Sequence, residues 1–289
     1  MHKQLIAVLF LSVLAGCATS SGPQPRLEAG ASVSSAEMAT SLAAADATRD
    51  DGNFSEALQI YQQVMVDAPG EPRAQFGMAE CLLALGKAAQ AKPIFSGLKS
   101  NAALHATALQ GEGLALLALG QNEPAGIALQ QASAADPSLW RSWNALGKLA
   151  DLRHQPEDAA KFYTKASELN PQSAVVVNNA GYSKLISGNA PQAVELLRRA
   201  LTLDPRSETI QNNLRLAIAA DGRYDDALKS TSRDQLPVAL NNVGYVAMQR
   251  GDLTAAEGYF ARAMETSPSY AAVAAKNLEQ LKSEQLTAQ

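Results

Sequence analysis

From Met38 onward, small and apolar residues return at an interval far longer than a strand or a single helix turn would produce. Counted in units of 34 residues that begin at Met38, position 20 is alanine seven times: Ala57, Ala91, Ala125, Ala159, Ala193, Ala227 and Ala256. Position 15 is glycine six times, at Gly52, Gly86, Gly120, Gly188, Gly222 and Gly251, with His154 as the departure. Position 32 is Pro69, Pro137, Pro171, Pro205 and Pro268, with Ala103 in the second unit. Each type has a local reason. Glycine suits the end of a first helix, where φ turns positive. Proline stops a second helix, because it has no N–H and clashes with the preceding turn. Glycine at position 8 and alanine at position 20 let the two helical backbones approach. The pattern therefore predicts an all-α chain with two helices per unit. Such a unit cannot bury its apolar face alone, and stacking must supply the core.

The units run 38–71, 72–105, 106–139, 140–173, 174–207, 208–236 and 237–270. The clearest pair is the fourth and fifth, where Trp143, Leu146, Gly147, Ala159, Tyr163, Ala166 and Pro171 are answered by Val177, Ala180, Gly181, Ala193, Leu197, Ala200 and Pro205. These residues resemble the tetratricopeptide repeat, a 34-residue helical hairpin with a W-x2-L-G…A-x3-F…P pattern. The resemblance implies a right-handed superhelix over residues 37–286. Two irregularities stand out. The sixth unit is short, has Arg215 at position 8, and must end its second helix near Thr231-Ser232-Arg233. Beyond Pro268, residues 271–286 place Val273, Leu278 and Leu281 on one side and Lys276, Glu279, Lys282 and Glu284 elsewhere, as a capping helix requires.

Residues 1–16 read as an export signal, with Lys3 ahead of an apolar run from Leu5 to Leu14 that is too short to span a bilayer, which takes about 20 residues. Leu14-Ala15-Gly16-Cys17 resembles a bacterial lipobox, which implies that Cys17 is acylated and becomes the first mature residue. The alternative is an internal cysteine in a signal cleaved by the ordinary peptidase. Several acyl chains on Cys17 would anchor the protein stably, since one chain is marginal and two suffice. Ala18 stands where inner-membrane lipoproteins often carry Asp, so the resemblance favours the periplasmic face of the outer membrane. Residues 17–36 form the acylated cysteine and a Ser-, Ala-, Gly- and Pro-rich tether with an r.m.s. reach of roughly 25 Å.

Composition narrows the function. The chain has 47% hydrophobic and only 5% aromatic residues, a net charge of −4 and a pI near 5.5. No Lys/Arg cluster forms a phosphate-binding stripe, so nucleic acid is not an expected partner. The histidines are His2, His105 and His154, none in a ligand spacing, and no metal or cofactor is expected. Cys81 sits beside Leu82 and Leu83 on a first helix and reads as a small buried hydrophobe, the alternative being a reactive or intermolecular thiol. Gly111-Glu112-Gly113 lacks the third glycine and the preceding strand of a dinucleotide site, and no nucleophile elbow or carboxylate pair occurs. The chain is not expected to be an enzyme.

Function is expected on the concave side, which first helices line in this repeat family and where its members bind peptides or helices. Reading positions 5 and 9 as groove-facing selects Asn144, Asn178, Asn212 and Asn241 at the first and Lys148, Tyr182, Leu216 and Tyr245 at the second. Carboxamides donate and accept, so such a ladder can pair with the main chain of an extended segment. The tyrosines add flat amphipathic area of the kind found at binding hot spots. The alternative is that the asparagines satisfy neighbouring helix ends. Recognition of a terminal carboxylate is not expected, because only Arg141 and Lys148, in one unit, stand beside these asparagines.

The Asn-Asn-x-Gly-Tyr string at Asn178–Tyr182 and Asn241–Tyr245, the Asn212-Asn213-Leu214 variant, the short sixth unit and the Gly251–Phe260 segment together resemble the TadD family of tetratricopeptide lipoproteins. The resemblance fits residues 140–285 best. It implies a pilotin or assembly factor for the secretin of the tight-adherence (Flp) pilus. The alternatives are a scaffold for another envelope machine, such as a type IV pilus or outer-membrane protein insertion, and an accessory of peptidoglycan synthesis.

Overall fold

The computed structural model describes residues 34–229, 231–266 and 268–287, so the signal, Cys17 and the tether as far as residue 33 lie outside the described residues. Among the described residues there are fifteen α-helices and no strand. They form seven hairpins: α1 (Ser35–Asp50) with α2 (Phe54–Asp67), α3 (Pro72–Ala84) with α4 (Ala88–Leu98), α5 (His105–Ala118) with α6 (Asn122–Ala135), α7 (Trp140–Leu152) with α8 (Pro156–Leu169), α9 (Ala174–Ile186) with α10 (Ala190–Leu203), α11 (Glu208–Ala220) with α12 (Tyr224–Leu228), and α13 (Leu236–Gln249) with α14 (Leu253–Thr266). The last helix, α15 (Pro268–Thr287), packs on α13 and α14. At the other end Ser34 and Glu37 close a capping box on α1: Ser34 Oγ accepts from the Glu37 N–H at 3.2 Å and Glu37 Oε2 from the Ser34 N–H at 2.9 Å.

The repeating residues act as their types require. Gly52, Gly86, Gly120, Gly188, Gly222 and Gly251 have φ between 72° and 83°. His154 takes the same turn at φ 56°, the one non-glycine residue with positive φ among the described residues. Alanine at position 20 is buried in every hairpin. Its neighbour across the hairpin is position 8, which faces the large residue at position 24. A Cβ added to Gly113, Gly147, Gly181 or Gly244 would come within 2.6, 2.7, 2.7 or 2.8 Å of Leu129, Tyr163, Leu197 or Phe260 respectively. Real Cβ atoms do not approach so closely, so glycine sets the interhelical distance and the ring or leucine fills the space it leaves.

The irregular units show the same rules by exception. In the second, which has Ala103 in place of the usual proline, α4 ends early at Leu98. The Asn101 side chain makes the turn instead, accepting from the Ala103 and Leu104 N–H groups at 3.0 and 3.3 Å. In the sixth, α12 has only 5 residues. It stops before the point from which other second helices send a ring or leucine across. Position 8 need not be small there, and Arg215 occupies it half-buried, donating to Asn212 Oδ1 at 2.6 Å. Burial holds its guanidinium below the usual arginine range. The core does not break at this unit: Tyr224 and Tyr259 pack edge to face at 5.8 Å, and the Tyr259 hydroxyl donates to Asp225 at 2.9 Å.

The two layers differ in what they touch. Each odd-numbered helix lies close to the next, from α1 to α15, whereas among the described residues no two even-numbered helices bring their backbones close, and α12 and α14 meet through the side chains of Tyr224, Asp225 and Tyr259. Closer spacing of the first helices curves the stack toward them, and they form its inner wall.

Candidate functional site

The inner wall is built by positions 2, 9 and 13 of the first helices, joined on α9, α11 and α13 by a half-buried asparagine at position 6, whereas Gly77, Gly111 and Ala145 at position 6 of α3, α5 and α7 are buried. Arg141, Lys148 and Leu152 on α7, and Val175, Asn179, Tyr182 and Ile186 on α9, are the fullest example. Toward the N-terminal hairpins this wall borders a depression of about 530 Å3 lined by Glu80, Leu114, Arg141, Asn144 and Val175 among others. Arg141 donates to Glu80 Oε2 at 2.6 Å across it, joining the fourth unit to the second. A second depression of about 630 Å3 lies between the C-terminal halves of α7 and α9.

The residues selected from sequence fall into two groups. Lys148, Tyr182 and Tyr245, all at position 9, are exposed on the wall, the tyrosines by 42% and 46%. Leu216 is half-buried. The position-5 asparagines do not form an open ladder. Asn178 and Asn241 are buried, Asn144 is half-buried, and only Asn212 is exposed. Their carboxamides join consecutive first helices. Asn213 donates to Asn178 at 2.9 Å, Asn178 to Asn179 at 3.3 Å, and Asn179 to Asn144 at 3.1 Å, which links α11, α9 and α7. At the far end Asn277 on α15 donates to Asn241 at 2.8 Å. Position 5 thus points into the seam between units, and position 6 borders the groove. In the Asn178-Asn179 pair both asparagines are used, one to accept from the next unit and one to donate to the last.

That geometry makes a stability prediction. Asn178→Ala removes the acceptor of Asn213 and the donor to Asn179 inside a seam shielded from water, which costs about 1–2 kcal/mol. Asn212→Ala, on an exposed side chain, changes stability by less than about 0.5 kcal/mol. Urea unfolding of the two variants side by side checks the difference.

Asp151 is the other polar centre. Its Oδ2 accepts from the Tyr163 hydroxyl at 2.8 Å and its Oδ1 from Ser183 Oγ at 2.6 Å, so one carboxylate ties α7 to both α8 and α9. Burial, then the hydrogen bond to Asp151, pushes the Tyr163 phenol up, so it remains a donor at neutral pH. Cys81 is fully buried, and burial raises its thiol to about 11, which leaves it neutral and unreactive at neutral pH. His105 is exposed, with Nδ1 2.7 Å from the Lys99 carbonyl oxygen. Among the described residues no group of three or more His, Cys, Asp or Glu is placed to hold a metal ion.

The wall positions that sequence reasoning missed, Leu152, Val175 and Ile186, carry a signal of their own. Val175 and Ile186 are apolar residues set four and seven places from the groove positions Asn179 and Tyr182 on one helix, yet they are 59% and 51% exposed. An apolar stripe on the same face as a polar wall marks that face as a binding surface.

Comparison with known proteins agrees with this architecture. Residues 7–236 match the family model described as Cilia and flagella-associated protein 70 C-terminal domain, and residues 238–267 match one described as Tetratricopeptide repeat. The human Superkiller complex protein 3 is 39% identical over 82 residues, 28% of this chain, and the chain spans 5% of that protein's length. Among solved structures, the APC/C hetero-tetramer Cut9-Hcn1 is similar with a TM-score of 0.56 and 17% identity over 88% of this chain and 51% of that one. TTC0263 from Thermus thermophilus, a thermophilic repeat protein, gives 0.54 and 18% over 66% and 98%. A tetratricopeptide repeat protein from Parabacteroides merdae gives 0.52 and 14% over 85% and 98%.

Proposed function

The chain belongs to the tetratricopeptide-repeat family represented by the Cilia and flagella-associated protein 70 C-terminal domain, and from that premise we propose that it is a scaffold that holds a segment of another protein along its inner wall. The observation that carries this reading is the pair Tyr182 and Tyr245, which recur in the same local string and are both left open on the face built by the first helices. Rigid aromatic side chains anchor a partner at small entropic cost, because only two torsions are lost.

The finer reading is an outer-membrane lipoprotein, anchored through Cys17 and facing the periplasm, that serves as pilotin or assembly factor for the secretin of the tight-adherence pilus. The lipobox-like Leu14–Cys17 and the Asn-Asn-x-Gly-Tyr strings support it. No helix among the described residues is long and apolar enough to cross a membrane, so in this reading attachment rests on the acyl chains.

Two measurements test it. Cys17→Ser is expected to move the protein from the membrane to the soluble periplasmic fraction, with mass spectrometry finding acyl chains on Cys17 of the unaltered protein; an unmodified Cys17 overturns the anchor. Deleting the gene is expected to abolish heat-stable secretin multimers in the outer membrane. Multimers that persist would exclude the pilotin role and leave a scaffold for another envelope machine.

A further inference from the structure

The depression between α7 and α9 differs from the rest of the inner wall in three respects. First, Leu152, Tyr182 and Ile186 all open onto it, exposed by 54%, 42% and 51%. Exposed apolar side chains are ordinary when scattered singly, but three around one concavity make a patch. At about 630 Å3 it is the size of small ligand pockets and has room for a large side chain with its flanking backbone.

Second, its charges are unevenly satisfied. Lys148 and Asp151 stand three residues apart on α7, the spacing of an ordinary helical ion pair. Asp151 has both oxygens taken by the Tyr163 and Ser183 hydroxyls. Lys148 is exposed on the cleft and makes no ion pair among the described residues. The cleft therefore presents an ammonium with no direct ion-pair contact, beside a carboxylate whose oxygens are held by hydroxyl groups.

Third, the rim carries His154, where the six other turns of the same kind use glycine. A side chain in the left-handed region costs stability, and such strain collects where the side chain has a task. Here it adds an imidazole to the wall of a cleft whose lysine makes no ion pair among the described residues.

We infer that this cleft is an anchor subsite, which seats one large apolar side chain of a partner's internal segment and pairs an adjacent acidic side chain of that segment with Lys148. The assignment rests on the scaffold reading and adds to it the chemistry of the bound segment. An apolar residue fills the space between Leu152, Tyr182 and Ile186, and a carboxylate completes the charge pairing that Asp151 leaves undone. A basic neighbour would instead meet Lys148 as a like charge.

The test uses the full chain in detergent and fluorescein-labelled nonapeptides, acetylated and amidated, with a central Leu-Phe pair flanked by Asp, Asn or Lys in a Gly-Ser frame. Fluorescence anisotropy is expected to show the Asp-flanked peptide binding about tenfold tighter than the Lys-flanked one. Lys148→Glu is expected to reverse the order, and Ile186→Ser to weaken every peptide. His154→Gly is expected to raise the melting midpoint while weakening binding, a combination that a purely structural turn residue would not produce. Equal affinity for the Asp and Lys peptides, a preference that Lys148→Glu leaves in place, or no binding at all overturns the subsite. Failure of the scaffold reading is read separately, from a purified native partner and Tyr245→Ala, which lies outside this cleft. A partner that needs Tyr245 and ignores Lys148 sinks the subsite alone.

Discussion

A double variant, Tyr182→Ala with Tyr245→Ala, is expected to keep its helicity and lose about 2–4 kcal/mol of affinity for the protein it holds. Both side chains are open on the inner wall, so truncating them removes no core packing. Neither phenol has a hydrogen-bond partner among the described residues, and nothing buried is orphaned by their loss. The same cannot be said of the other tyrosines on this side of the molecule. Tyr61 and Tyr163 are buried and donate to Asp46 and Asp151, so their truncation would unfold the hairpins that hold them and report stability instead of binding. Calorimetric titration of the purified partner, with circular dichroism as the control for folding, measures the effect. Unchanged affinity in a helical double variant would move the binding surface off the fifth and seventh units.

Gly147→Ala is expected to destabilise the protein by about 2 kcal/mol although alanine is the better helix former. The new Cβ would lie 2.7, 2.8 and 2.9 Å from three ring atoms of Tyr163. That ring has no easy escape, because its hydroxyl is bonded to Asp151 and Asp151 in turn to Ser183. Overpacking of this kind reaches about 3 kcal/mol, and the gain in helix propensity returns about 1 kcal/mol. Gly181→Ala makes the control. Its Cβ would meet Leu197 Cγ at 2.7 Å, on a side chain with no polar tether and another rotamer to turn to, and Leu196 Cβ at 3.2 Å, a milder contact, so the net cost is expected to be smaller by about 1 kcal/mol. Denaturant midpoints of the two variants decide it. Equal losses would show that the backbone, not the tethered ring, limits relaxation.

Much of this was legible in the residues. Alanine at position 20, glycine at 15 and proline at 32 repeat because every hairpin meets the same local demands, so the helix count, the positive-φ turns and the early end of the sixth unit's second helix follow from spacing. The groove was half legible. At position 9, Tyr182, Tyr245 and Lys148 are exposed and Leu216 is half-buried. At position 5, Asn178 and Asn241 are buried in the seams, Asn144 is half-buried and Asn212 is exposed. Adjacent positions on a helix differ by about 100°, and both are polar in the Asn-Asn pairs, so composition gives no way to choose between them.

The sequence by itself determined what is local and repeated: two helices per unit, where each turns, and which small residues let them touch. Backbone sterics impose these demands within one hairpin, and the chain meets them seven times. Only the tertiary structure decided what joins one unit to the next. Whether an asparagine turns to a groove or to its neighbour depends on the angle at which hairpins stack, and that angle is set by packing over the whole interface. For the same reason Asp151, bound to Tyr163 and Ser183, and the cleft that leaves Lys148 without a counter-ion, exist only once α7, α8 and α9 are assembled.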